Sequence, residues 1–177
     1  TARMKPPFGI AQIAENITIA GPNAVTAVDD KVFWMGIGDF YAYTGQTQKV
    51  PCAVRSYIFD NFNTGQASLV TCALNSTFSE IWWFYPSASS EENNKYVIYN
   101  YANQTWYYGT LSRTAWHDKG IRRFPIGAGS QYLYDHENGN DDDGSAMTAS
   151  IESSQMDIGD GYQYSFIKQL IPDVSFE

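Results

Sequence analysis

Residues 78–111 read FSEIWWFYPSASSEENNKYVIYNYANQTWYYGTL, and this stretch decides the fold class. It holds two dense aromatic runs, the second broken by Ala102-Asn103-Gln104. Flat rings and branched side chains suit a pleated, half-buried sheet, and a short Asn-bearing break between two such runs suits a hairpin. An Asn at the break tolerates the left-handed backbone that a tight turn needs, which points to Asn103. Residues 32–52, VFWMGIGDFYAYTGQTQKVPC, have a similar layout: a strand ending at Gly36, another from Phe40 to Tyr43, then a Thr-Gly turn. Strand, turn and strand recur with a Trp in matching places. That recurrence predicts repeated antiparallel β-units in an all-β chain.

Working outward, short strands are expected at 17–20 and 25–28, split by Gly21-Pro22-Asn23, then at 31–36, 39–43 and 47–51. Val54, Tyr57, Ile58 and Phe62 fall at helical spacing, with Thr64-Gly65 as a stop. This predicts a short connecting helix near 53–61. Strands at 67–74, 79–85, 94–101 and 105–111 follow, and the polar loop 87–94 is expected to be exposed and mobile. The texture changes at Arg113, where Gly and charge increase, so the chain divides into 1–112 and 113–177. The second part is assigned strands at 114–117, 122–127, 131–135 and 145–153. A turn at 159–161 and a long strand at 162–171, ended by Pro172, complete it as a C-terminal hairpin or sandwich element.

The 177 residues are 16% aromatic, enough for a substantial core. No apolar run is long enough to span a membrane. The opening TARMKPPFGIAQ reads as part of a longer polypeptide. Net charge is −8, and it is regional. Residues 124–167 contain no Lys or Arg but hold Asp135, Glu137, Asp141, Asp142, Asp143, Glu152, Asp157 and Asp160. Such a surface does not grip nucleic acid, which requires cations to displace counterions from phosphates. It suits either a face past which DNA slides or a loop that keeps a sheet protein soluble. Cys52 and Cys72 read as two small buried thiols in strands or strand ends, and not as a disulfide scaffold. Sequons at Asn16, Asn75 and Asn103 are common in an Asn- and Thr-rich chain and carry little weight.

Candidate chemistry is sparse. His117-Asp118 and His136-Glu137 are adjacent pairs, and neighbours on a strand point to opposite faces, so neither is a ready dyad. The two His on separate loops lack a third metal ligand at a characteristic spacing. The Asn138-Gly-Asn-Asp-Asp-Asp-Gly144 loop places Asp141 and Asp143 at the third and fifth positions of a calcium-type loop, but Gly139 stands at the first. Asp141 and Asp143 are therefore the cation candidates, set against a solvated β-turn as the favoured reading. Ser112 and Ser165 have no basic partner nearby in sequence. No nucleotide, phosphate, metalloprotease or redox motif is present, and no catalytic residue or cofactor is expected. Arg122-Arg123 is expected to pair with the nearby acidic loop.

Several pieces in fixed order resemble a family of bacteriophage virion proteins. They are VFWMG, FYAYTG and VPCAVRSYIFDNFN, then EIWWFYPS, ENNKYVIYNY and Trp106, then RTAW and LYDHENG, then IESSQMDIGDG and IKQLIPD. The resemblance covers roughly residues 25–177 and is to β-propeller-type structural proteins of phage tails and head-to-tail connectors. It implies a non-enzymatic virion component forming an oligomeric ring around the DNA channel, bound to neighbouring tail or connector proteins. No site residues carry over. The strands suffice for about two to three blades, while a closed propeller takes at least four. A rival reading is a glycan-binding or glycan-hydrolysing propeller. Asn103-Gln104-Thr105-Trp106 is similar to the Asp-box turn of sialidases, although Tyr99, Tyr101 and Asn103 replace its Ser, Asp and Gly. Glu80, Asp118 and Glu137 are the carboxylates available to it. A third reading, a secreted adhesion domain, requires used sequons and a Cys52–Cys72 bridge.

Overall fold

The structure is a computed structural model that describes residues 12–129 and 131–147, together with 166, 168 and 169. It is mostly β, with antiparallel sheets and two short helices. The chain forms two compact units, Thr1–Asn138 and Gly139–Glu177. The expected division after residue 112 falls where the second sheet of the first unit gives way to the third. Among the described residues the sheets close into neither a barrel nor a ring.

The first sheet is a meander of β1 (Val25–Val28), β2 (Lys31–Met35), β3 (Phe40–Tyr43) and β4 (Thr47–Val50). The second repeats the plan with β5 (Thr71–Asn75), β6 (Glu80–Tyr85), β7 (Lys95–Asn100) and β8 (Thr105–Gly109). The third has β9 (Ala115–His117), β10 (Ile126–Ala128) and β11 (Leu133–Asp135). Within each sheet every strand pairs with its neighbour in sequence, as the recurrent strand-turn-strand pattern predicts.

Turn chemistry fixes the registers. Gly45 takes φ +94° in the Thr-Gly turn between β3 and β4, a conformation that glycine adopts without strain. The β5–β6 and β7–β8 loops are built alike. Each spans four residues from an Asn (Asn75, Asn100) and ends on a left-handed residue, Ser79 (φ 59°) or Gln104 (φ 58°). The left-handed residue is thus Gln104 and not Asn103. Asn100 organises its turn instead: its Oδ1 accepts from the amides of Ala102 and Asn103, and its Nδ2 donates to Phe78 O.

Strand β6 explains why the opening stretch is so aromatic. Its Ile81, Trp83 and Tyr85 face the first sheet, while Trp82 and Phe84 meet Trp116 of the third. A strand covered on both faces carries apolar side chains without alternation. On the first-sheet side Phe40 sits among Trp106 (4.7 Å), Trp83 (5.0 Å) and Phe59 (5.3 Å). Such ring pairs contribute about 0.5–1.5 kcal/mol each beyond their buried area. Every indole N–H has an acceptor: Trp34 on Thr18 O, Trp82 on Glu80 Oε2, Trp83 on Ala24 O, Trp106 on Pro51 O and Trp116 on Leu74 O. Burial of these rings therefore leaves no indole donor unpaired.

Helix α1 (Arg55–Phe59) is shorter than the expected 53–61. It buries Ile58 and places Phe59 on Phe40. Asp39 ties it to the first sheet, accepting from Arg55 Nε (2.6 Å) and Lys49 Nζ (2.7 Å). Burial raises the Asp39 pKa, but these two cations outweigh it and hold the carboxyl below its usual value. Thr64-Gly65 does not stop this helix but opens a 3-10 helix, Thr64–Leu69, capped by Asn63 Oδ1 on the Gly65 amide. The strand expected at 67–74 accordingly begins only at Thr71.

Other expectations are corrected. Residues 17–20 form no strand; Ala20 makes one backbone bond, to Met35 O. The strand expected at 122–127 is Ile126–Ala128, because Arg122 and its neighbours form a turn. The 87–94 loop is exposed only in its middle. Ser87 and Asn93 are buried, the Ser87 amide donates to Asn94 Oδ1, and Asn93 Nδ2 donates to Leu69 O and Arg113 O. A polar loop can be anchored when its Asn side chains replace backbone partners, which hydropathy does not reveal.

In the second unit β12 (Asp141–Asp142) and β13 (Ser145–Ala146) form a hairpin. Its two-residue turn has Asp143 at φ 51° and Gly144 at φ 82°, the type I′ pattern that Asp-Gly favours. The expected strand 145–153 is seen as Ser145–Ala146, and residues 148–153 lie outside the described residues. So do the 159–161 turn and nearly all of the 162–171 strand.

Candidate functional site: an aromatic hollow with two carboxylates

Glu80, the first residue of β6, lies between Asn75 of β5 and Asn100 of β7 in the second sheet. Trp82, two residues on, shares its face and donates Nε1–H to Glu80 Oε2 at 2.9 Å. Ile98 of β7 and Tyr107 of β8 continue that face, and Phe78 from the β5–β6 turn borders it. Glu137 completes the lining from the turn after β11, giving an open hollow of about 320 Å³. Glu137 has a left-handed backbone, φ 58°. Its Oε1 accepts from Nδ2 of Asn75, a fully buried side chain, at 3.2 Å. Asn75 Oδ1 has no partner among the described residues.

Burial raises the Glu80 pKa. The Trp82 hydrogen bond lowers it, and the nearby Glu137 charge raises it further. No ion pair reaches Glu80 or Glu137 among the described residues. The hollow therefore holds two neighbouring carboxylates, one of them partly desolvated, among π faces.

Of the carboxylates considered from sequence, the fold unites Glu80 and Glu137 and keeps Asp118 apart. Asp118 instead serves backbone, accepting from the amides of Ser76 and Lys119. The two His do not converge on a shared metal. His117 borders a hollow on the outer face of the third sheet. His136 packs on Trp116 (4.5 Å) and accepts at Nε2 from Arg113 Nε. Burial and the Arg113 charge lower its pKa to about 4, so the ring is neutral at pH 7. Among the described residues no group of three or more His, Cys, Asp or Glu is placed to hold a metal. Asp141 Oδ1 is engaged by the Gly144 amide (3.3 Å) at the tip of the type I′ hairpin, and Asp143 is one of its turn residues. Arg122 pairs with Asp135 at 2.9 Å, whereas Arg123 lies over Phe124.

Cys52 and Cys72 are free and half-buried, so the bridge required by an adhesion domain is not formed. The Asn75 sequon is buried and engaged with Glu137, out of reach of a glycan. The pairing of Glu80 with Glu137 left no local sequence signal beyond the carboxylates themselves.

A second hollow, about 420 Å³, lies on the third sheet. Trp116 points inward to the second sheet. Ala115, His117, Ile126, Ala128 and Leu133 line the opposite side, with Leu133 74% exposed. Among the described residues no helix is long and apolar enough to cross a membrane. Comparison with protein-family models found no match, and neither did comparison with curated proteins.

Proposed function

We propose that this chain is a non-enzymatic structural part of a bacteriophage tail or head-to-tail connector. Its meander sheets act as propeller-type blades in a subunit that assembles into a ring around the DNA channel. The observation that carries this reading is the stack itself. Sequential meander sheets pack face to face through large rings, as consecutive blades do. Among the described residues the third sheet offers an apolar outer face, lined by Ala115, Ile126, Ala128 and Leu133. Such a face is stabilised when a further sheet covers it. The acidic window of residues 124–167 fits a surface that DNA passes without being gripped. The virion is the corresponding location, with neighbouring tail or connector proteins as partners.

The test is light scattering and electron microscopy of the purified protein, with detection in virions. Ring-shaped particles or a fixed virion position are expected. A protein that stays monomeric and never enters particles overturns the reading. Leu133→Glu, on the exposed outer face, should reduce association while leaving the monomer folded.

The rival reading, a glycan-binding or glycan-hydrolysing propeller, is favoured by one observation: Glu80 and Glu137 meet beside Trp82 and Tyr107. A glycan array with hydrolysis assays separates the two readings.

A further inference from the structure

The hollow around Glu80 has a chemical character that the structural role does not use. Its polar groups are nearly all acceptors. Glu80 and Glu137 contribute four carboxylate oxygens, of which Trp82 occupies one and Asn75 another. The remaining wall is Phe78, Ile98, Tyr107 and the Trp82 ring. Tyr107 and Phe78 are each 50% exposed, so their surfaces are accessible to a ligand. Two like charges held together in a partly desolvated place repel each other, and a bound cation relieves that repulsion. The exposed ring faces of Tyr107 and Phe78 carry partial negative charge and attract the same ligand, while the Trp82 ring is stacked on Tyr96 and Trp116. A neutral sugar gains from the rings and from donating to the carboxylates but leaves the charge uncompensated.

We propose that the hollow formed by Phe78, Glu80, Trp82, Tyr107 and Glu137 binds an organic cation, an ammonium or guanidinium head carrying an apolar stem. The head lies between the Glu80 and Glu137 carboxylates, and the stem lies along Tyr107 and Phe78. Asn75 supports the arrangement from behind: it is fully buried and its Nδ2 fixes one Glu137 oxygen. The same chemistry is presented by a small free alkylammonium and by a Lys or Arg side chain of a protein neighbour. The site does not depend on ring assembly, so it stands or falls separately from the proposed structural role.

The experiment is calorimetric titration of the purified protein with choline, with N-acetyl-arginine amide, and with methyl glucoside as the neutral control. Saturable binding of a cation, and none of the glucoside, is expected. Glu80→Gln and Glu137→Gln should each weaken it about tenfold, equivalent to about 1.4 kcal/mol. Both substitutions are nearly isosteric, and near-UV circular dichroism checks that the fold is kept. Tyr107→Ala should also weaken binding. Tighter choline binding assigns the site to a free cation; tighter arginine amide binding assigns it to a partner's side chain. Absence of saturable cation binding, preference for the glucoside, or unchanged affinity in the Glu80→Gln/Glu137→Gln double variant overturns the proposal. The assembly experiment is unaffected by any of these results.

Discussion

The indole of Trp116 lies over that of Trp82, with ring centroids 5.8 Å apart and planes 20° from parallel. This stack joins the third sheet to the second. Trp116 also touches Phe84 and His136, and its N–H reaches Leu74 O on β5 at 2.8 Å. One side chain thus supplies both the apolar and the polar connection between the two sheets.

Trp116→Ala should destabilise the protein by about 3 kcal/mol through lost burial and an incompletely filled gap. Trp116→Phe keeps a ring but loses the hydrogen bond, and should cost less, by about 1 kcal/mol for that bond. Urea denaturation followed by fluorescence measures both, and equal losses for the two variants would remove the distinction between ring and hydrogen bond.

His136 should make stability fall in mild acid. Its native pKa is lowered from 6.5 to about 4, so between those values the unfolded chain takes up a proton that the native ring does not. The contribution is fully present above pH 6.5 and is lost as pH falls towards 4. Asp39, whose lowered pKa acts below its ordinary 3.8, contributes outside this window. The difference in urea midpoint between the native protein and His136→Gln, followed from pH 7.5 to 4, should shrink or reverse as the pH drops. A constant difference would contradict the neutral, Arg113-bonded ring.

Glu80 should behave with the opposite sign. Burial and Glu137 raise its native pKa above 4.5, so the native state retains a proton that the unfolded chain has already lost. Its contribution is present below pH 4.5 and is lost as pH rises through the native value. Glu80→Gln should therefore be neutral or stabilising at pH 7 and lose that advantage below pH 4.5. Thermal denaturation at the two pH values gives the comparison, and a clear loss of stability at pH 7 would count against a strained carboxylate pair.

The two thiols should be slow to react while the protein is folded. Burial raises the Cys52 pKa to about 11 and pushes that of Cys72 up as well, so little thiolate is present near pH 8. Titration with a disulfide reagent should show slow native labelling and two thiols in denaturant without prior reduction. Finding none would mean that Cys52 and Cys72 are bridged.

Much of the architecture was legible because strands and turns are local events. Trp82 to Tyr85 read as a strand from side-chain type alone, and Thr44-Gly45 as a turn from glycine's tolerance of positive φ. The errors arose where a side-chain hydrogen bond decided the local outcome. Residues 67–70 look like a strand, but the Asn63 cap starts a 3-10 helix, Thr64–Leu69, that takes in residues 67–69. The 87–94 loop looks mobile, but its ends are bound by Asn94 and by the backbone of Leu69 and Arg113. The assignment of the left-handed turn residue to Asn103 failed because Asn100, at the strand end, bonds the turn amides.

The sequence by itself determined a mostly β chain of repeated antiparallel units, because side-chain type and turn residues act over a few positions. It also determined the regional acidity and the small number of chemically suggestive residues. Only the tertiary structure decided that β6 is covered on both faces and that Glu80 and Glu137 share one hollow while His117 and His136 stay apart. Strands far apart in the chain meet through ring packing and side-chain hydrogen bonds, and that convergence leaves no mark in the spacing of the residues concerned.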